Sequence, residues 1–224
     1  MLTSVIIPAY NETELIASTI EASIKSSPGL YEIIVIDDCS SDDTFQKAQT
    51  AGALVFKMPK RAGKGAALMQ GVLSCKGDIV VFLDADLGET ATETPKLIKP
   101  VITGQTDMAV ARFPQFPLAR RKGLGLVKLA AYYGVWQLCK QRMDSILSGQ
   151  RAAKRSTFLK LMPFAPGFGV EVGLTIDALR RGLRILEVDC NMAHRITGWD
   201  FTGVSHRARQ FYWVVGAILT RYVN

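Results

Sequence analysis

Residues 77–87 read Gly-Asp-Ile-Val-Val-Phe-Leu-Asp-Ala-Asp-Leu. The run Ile79–Leu83 is continuously apolar and rich in β-branched side chains, as in a buried strand of a parallel sheet with helices on both faces. It stops abruptly at two carboxylates, Asp84 and Asp86. Outward from it, Val5-Ile6-Ile7 and Ile33-Ile34-Val35-Ile36 are two more strands of the same kind, and Ala53–Phe56 is a short third. Between them, apolar residues recur at helical spacing over Glu12–Ile24, Asp42–Ala51 and Gly65–Leu73. The order βαβαβαβ predicts an α/β fold with right-handed crossovers and a mostly parallel central sheet flanked by helices.

The second half is less regular. A strand is expected at Met108–Ala111, and Pro114 and Pro117 then break the chain. Arg120-Arg121-Lys122 opens an apolar helix. Ser145–Gly149 is expected to return to the sheet, Val170–Arg181 to be helical and Arg184–Val188 to be the last strand before a terminal helix. No repeat, low-complexity tract or long linker interrupts residues 1–224, so a single domain is expected.

A hydrophobic content of 48% with 21% charged residues excludes disorder for most of the length. The formal charge of +7, from 27 basic and 20 acidic residues, favours anionic partners such as nucleotides, phosphorylated metabolites or anionic lipid. No basic-aromatic motif accompanies the charge, so nucleic acid is not expected. Cys39, Cys75, Cys139 and Cys190 form no CxxC pair and read as free thiols of a reducing compartment. The opening MLTSVIIPAY lacks the pattern of a signal peptide, and no run approaches the ~18 apolar residues of a membrane span. The expected location is the cytoplasm, with peripheral contact at the inner membrane face as the alternative. The helix around Phe211–Tyr222 suits the core, a homodimer interface or that membrane surface.

In an open α/β sheet, ligands bind beyond the carboxyl ends of the strands. Three polar clusters stand there: Pro8-Ala9-Tyr10-Asn11-Glu12, Asp37-Asp38-Cys39-Ser40 and Asp84-Ala85-Asp86. Each alone is compatible with a turn or helix cap. Together they predict one site. Asp84 and Asp86 repel each other unless a cation or solvent relieves them, and their oxygens suit Mg²⁺ or Mn²⁺ shared with a nucleotide's phosphates. Glu171 lies in an apolar stretch and needs either a basic partner, expected to be an arginine, or a function. Gly63-Lys64-Gly65 is a basic helix entry and not a Walker loop, because Gly65 follows the lysine.

IIPAYNE, VIDDCSSDDT and GDIVVFLDADL resemble the amino-terminal half of family 2 glycosyltransferases. The resemblance implies a GT-A fold, a nucleoside-diphosphate-sugar donor (a UDP-sugar by preference) and a DxD metal site. It places Pro8, Tyr10, Glu12, Asp37 and Asp38 at base and ribose, and Lys64 and Ala85 near the nucleotide. Ser148–Ala153, Pro163–Leu174 and Ala193-His194-Arg195 are similar to glucosyl-3-phosphoglycerate synthases, which transfer glucose with retention. From that likeness, residues 1–90 form the donor half and 91–224 the acceptor half. His194 joins Asp84 and Asp86 at the metal, and Asp86 and Glu171 are catalytic. Gly149, Gln150, Arg151 and Arg195 fall to the acceptor; the family's arginine-containing acceptor segment has no clear match here, and Arg120, Arg121 and Lys122, a charge run at a helix start, suit either the acceptor phosphate or a solvated rim.

The expected reaction moves a hexose to a phosphorylated small acceptor such as 3-phosphoglycerate, with a polyprenyl phosphate at a membrane surface as the alternative. A sugar-nucleotide pyrophosphorylase would open with a glycine-rich, arginine-containing loop where this chain has Pro8-Ala9-Tyr10. A non-catalytic nucleotide-sugar binding module would show metal-dependent binding without turnover.

Overall fold

The computed structural model describes residues 1–26, 30–114, 125–193 and 201–223, with the backbone alone at 30–31 and 201–207. The strands are β1 (Thr3–Ala9), β2 (Leu30–Asp37), β3 (Leu54–Lys57), β4 (Ile79–Phe82), β5 (Met108–Arg112), β6 (Arg151–Lys154) and β7 (Ile185–Asp189). The helices are α1 (Ile16–Ser26), α2 (Thr44–Thr50), α3 (Lys64–Ser74), α4 (Thr94–Ile102), α5 (Gly125–Cys139), α6 (Arg155–Lys160), α7 (Val170–Arg180) and α8 (Phe201–Val223). The seven strands form one sheet in the order β3-β2-β1-β4-β6-β5-β7. β1 to β4 are mutually parallel, as the apolar runs predicted, and β5 is parallel to β7.

One expectation fails in the second half. The segment that returns to the sheet is not Ser145–Gly149 but β6, which runs antiparallel between β4 and β5. Its Ala152 and Ala153 are fully buried, one in each of the two cores that flank the sheet. The segment before it instead turns, with Ser148 N–H donating to Ser145 O. Two helices absent from the sequence reading, α4 and α6, also pack against the sheet.

Alternate residues of each central strand face opposite cores, as a doubly covered sheet requires. Val5, Ile7, Ile79 and Val81 meet α1 and α4, while Ile6, Val80 and Phe82 meet α3, α6 and α7. Each such side chain contributes roughly 1.5–3 kcal/mol by leaving water. α3 lies flush on β1 because Gly71 presents no side chain where a Cβ would overlap Ile6. A third cluster joins α5, α7 and α8 through Val127, Ala131, Val135, Val172, Ile176 and Val214. This packing leaves the carboxyl ends of β1, β2 and β4 as one edge carrying the three polar clusters.

Candidate active site

Two residues at that edge take left-handed backbone conformations, Asn11 after β1 (φ 55°) and Cys39 after β2 (φ 68°). Such a turn is unusual without glycine. Here it is held by reciprocal hydrogen bonds: Asn11 N–H donates to Ser40 Oγ (3.0 Å), and Ser41 N–H donates to Asn11 Oδ1 (2.9 Å). Glu12 N–H donates to Thr44 Oγ1 (2.8 Å), tying the first cluster to α2. Asp37 is fully buried, and Oδ1 accepts Ser40 N–H, but among the described residues Oδ2 has no hydrogen-bond partner. A buried carboxylate oxygen left so is costly unless a ligand's donor meets it. Asp38, next along the same cluster, also holds a loop. Its two oxygens accept Ala62 N–H (2.7 Å) and Gly63 N–H (2.8 Å), anchoring the loop that enters α3. That loop lays the Arg61 guanidinium over the Tyr10 ring at 3.6 Å, within cation–π range.

The turn after β4 is pinned from α1. Buried Thr19 Oγ1 donates to Ala85 O (2.9 Å) and accepts Gly88 N–H (2.8 Å). Thr19 was not among the expected site residues. Its signal was a hydroxyl on the face shared by Ile16 and Ile20.

Lys64, at the start of α3, reaches Asp84 Oδ1 at 2.6 Å and Glu171 Oε1 at 2.7 Å. Glu171 is buried in α7 and has found its basic partner, a lysine from 107 positions earlier in place of the expected arginine. Burial strips water from the Lys64 ammonium and by itself lowers its pKa. The charges of Asp84 and then Glu171 outweigh this and hold the pKa above the ordinary lysine value. Gln150, wholly buried, donates Nε2–H to Asp84 Oδ2 (2.7 Å) and accepts Ser148 Oγ–H (3.2 Å). Gly149 lies so close that a Cβ there would stand 2.6 Å from Lys64 Nζ and 2.8 Å from both Asp84 oxygens.

Arg151, expected at the acceptor, is turned inward and only 1% exposed. Its guanidinium donates to Ser148 O (2.9 Å), Ile146 O (2.8 Å) and Thr175 Oγ1 (2.9 Å). Burial lowers its pKa to about 10, against the opposing charges of Glu171 and Glu187. It thus shapes the loop that presents Gly149 and Gln150. Asp86 is half-buried on the turn beside Asp84, and Pro8 and Tyr10 are half-buried at the end of β1. His194, Arg195, Arg120, Arg121 and Lys122 lie outside the described residues. Among the described residues no three His, Cys, Asp or Glu side chains converge on a point. The oxygen donors Asp84 and Asp86 fit Mg²⁺ or Mn²⁺ by type.

The family model for glycosyl transferase family 2 matches residues 4–137, the stretch that holds all three clusters and Lys64. The chain belongs to that family. This family 2 glycosyltransferase is 35% identical to glucosyl-3-phosphoglycerate synthase of Mycobacterium tuberculosis (strain H37Rv), over 97% of this chain and 72% of that one. A crystal structure of the Mycobacterium tuberculosis synthase with Mn²⁺, UDP-glucose and phosphoglyceric acid superposes with a TM-score of 0.82 at 31% identity. The superposition covers 98% of this chain and 79% of that one. The sheet and helices of this glycosyltransferase are therefore a GT-A fold. It is also 31% identical to an undecaprenyl-phosphate 4-deoxy-4-formamido-L-arabinose transferase of Pseudomonas fluorescens (strain Pf0-1), over 71% of this chain and 52% of that protein.

Proposed function

We propose that this glycosyltransferase moves a glucosyl group from UDP-glucose to 3-phosphoglycerate, with Mg²⁺ or Mn²⁺ held by Asp84, Asp86 and His194. The observation that carries the reading is the Lys64 bridge. One ammonium joins the carboxylate that ends β4, in the donor half, to Glu171 of α7, in the acceptor half. A cation so placed faces both the diphosphate that departs and the acceptor that attacks. When bound, the metal supplies further positive charge against the departing diphosphate, the kind of stabilisation that is usually the largest catalytic term. Glu171, held in place by its ion pair with Lys64, orients the sugar or the attacking hydroxyl. Asp37 Oδ2, without a hydrogen-bond partner among the described residues, suits a donor N–H or O–H of the nucleoside. Gln150 fixes Asp84 without adding a second negative charge beside it. Arg120, Arg121, Lys122 and Arg195 are assigned to the acceptor phosphate, which guanidinium groups grip bidentately. The bound set of the Mycobacterium tuberculosis structure supports this choice of donor, metal and acceptor. Both substrates are water-soluble, which suits the cytoplasm.

The test is turnover of radiolabelled UDP-glucose with Mn²⁺ and 3-phosphoglycerate, with a polyprenyl phosphate in a parallel arm and Asp86→Ala as control. A labelled water-soluble product that needs 3-phosphoglycerate and is lost in Asp86→Ala is expected. Product only with the polyprenyl phosphate contradicts the acceptor assignment. No product in either arm contradicts the reading as a whole.

A further inference from the structure

α5 and α8 pack on each other and on α7, yet each keeps a long apolar stripe turned to solvent. On α5 the stripe is Leu126, Leu129, Tyr133 and Trp136, spaced by three, four and three residues and 38–74% exposed. Val127, Ala131 and Val135 take the opposite, buried face of the same helix. On α8, Tyr212 and Leu219, seven residues apart, are 70% and 58% exposed, while Val214 and Ala217 are buried. Neither stripe is needed by the transfer site, since Lys64, Asp84 and Glu171 engage other elements.

Charge says what covers these stripes. The stretches 113–143 and 201–224, which contain both helices, hold no Asp or Glu. At the chain's overall frequency of 20 acidic residues in 224, about five would be expected there. Apart from Arg120, Arg121 and Lys122, assigned above to the acceptor, the same stretches hold six Lys and Arg residues, of which Arg221 pairs with Asp177 of α7, and Lys140 extends its ammonium over the Trp136 ring at 5.3 Å. Aromatic rings with lysines beside them and no acids are the composition of a face lying in the headgroup layer of an anionic bilayer. A second copy of the chain fits less well, because a symmetric contact would set the cations of these stretches against their own copies with no Asp or Glu of the same stretches to meet them. We propose that the outer faces of α5 and α8 dock on the anionic headgroup layer of a lipid bilayer. The chain rests on the surface without crossing: among the described residues no helix is long and apolar enough to span a membrane.

The test is co-sedimentation of the full chain with vesicles of phosphatidylglycerol and phosphatidylcholine, against phosphatidylcholine alone, at low and high salt. Sedimentation that requires phosphatidylglycerol, weakens with salt and falls about tenfold in Leu129→Gln/Tyr133→Gln/Trp136→Gln is expected. Far-ultraviolet circular dichroism checks that the triple variant stays folded. No binding to the anionic vesicles, or equal binding by a folded triple variant, overturns the proposal. So does a dimer in sedimentation velocity that the triple variant dissociates while vesicle binding is absent. Turnover with water-soluble substrates is unchanged by the triple variant, so failure here is separable from failure of the glucosyl-transfer reading.

Discussion

At the scale of single residues, the site depends on what is missing at position 149. Gly149 leaves room for Lys64 Nζ and the Asp84 carboxylate to meet. A methyl there pushes on the tips of two side chains and not on backbone, so the fold yields cheaply while the carboxylate moves. Gly149→Ala is accordingly expected to keep a melting temperature near that of the wild type and to lower kcat about a hundredfold, the order of loss for a misplacement near 1 Å. Steady-state kinetics beside calorimetric melting checks this; unaltered kcat would show that the contact does not position Asp84. Much of this constellation was legible in the sequence as types. Two aspartates after a buried strand, and a glutamate in an apolar stretch, announced charges that needed partners. What could not be read was which partner each would take. Lys64, Asp84, Gln150 and Glu171 come from four separate stretches, and only the sheet order brings them together. Arg151 shows the converse: a basic residue beside the site in sequence is spent on backbone carbonyls in space.

At the scale of elements, the opposite end of the sheet is held by charge and is remote from chemistry. Asp107, just before β5, accepts from Arg184 Nε (3.1 Å), Nη2 (3.2 Å) and backbone N–H (2.9 Å), just before β7. The Arg184 side chain first, then its backbone N–H, holds the Asp107 pKa below the ordinary carboxylate value. A depressed carboxylate stabilises the fold above its unfolded pKa of about 3.9, and that contribution disappears as pH falls through the lower, folded value. Asp107→Asn is therefore expected to melt below the wild type at pH 7, with the gap closing as the pH falls through the lowered, folded pKa and shrinking in high salt. A gap independent of pH would contradict the ionic account, and turnover should not change. Elements differ in how plainly the sequence declares them. β1, β2 and β4 are continuous apolar runs and were visible. β6 is two alanines between charged residues, and its place is fixed by pairing on both sides with β4 and β5. α4 was hidden by Pro95 and Pro100; the first sits harmlessly in the opening turn, and the second lies inside a helix held by Leu97, Ile98 and Val101 against the core.

At the scale of the whole molecule, function is divided by charge. One edge of the sheet gathers carboxylates around a single lysine, while α5 and α8 carry basic and aromatic residues without an acid. A net charge of +7 is thus consistent with an anionic substrate site and with a second anionic surface elsewhere. The central claim is that the edge of β1, β2 and β4 is a metal-dependent UDP-sugar site. Titration calorimetry of UDP-glucose into the protein, in Mn²⁺ and then in EDTA, with wild type and Asp86→Ala, tests it most directly. The account predicts binding in Mn²⁺ that is lost in EDTA and lost in the variant. Binding of equal strength in EDTA, or in Asp86→Ala, would contradict it.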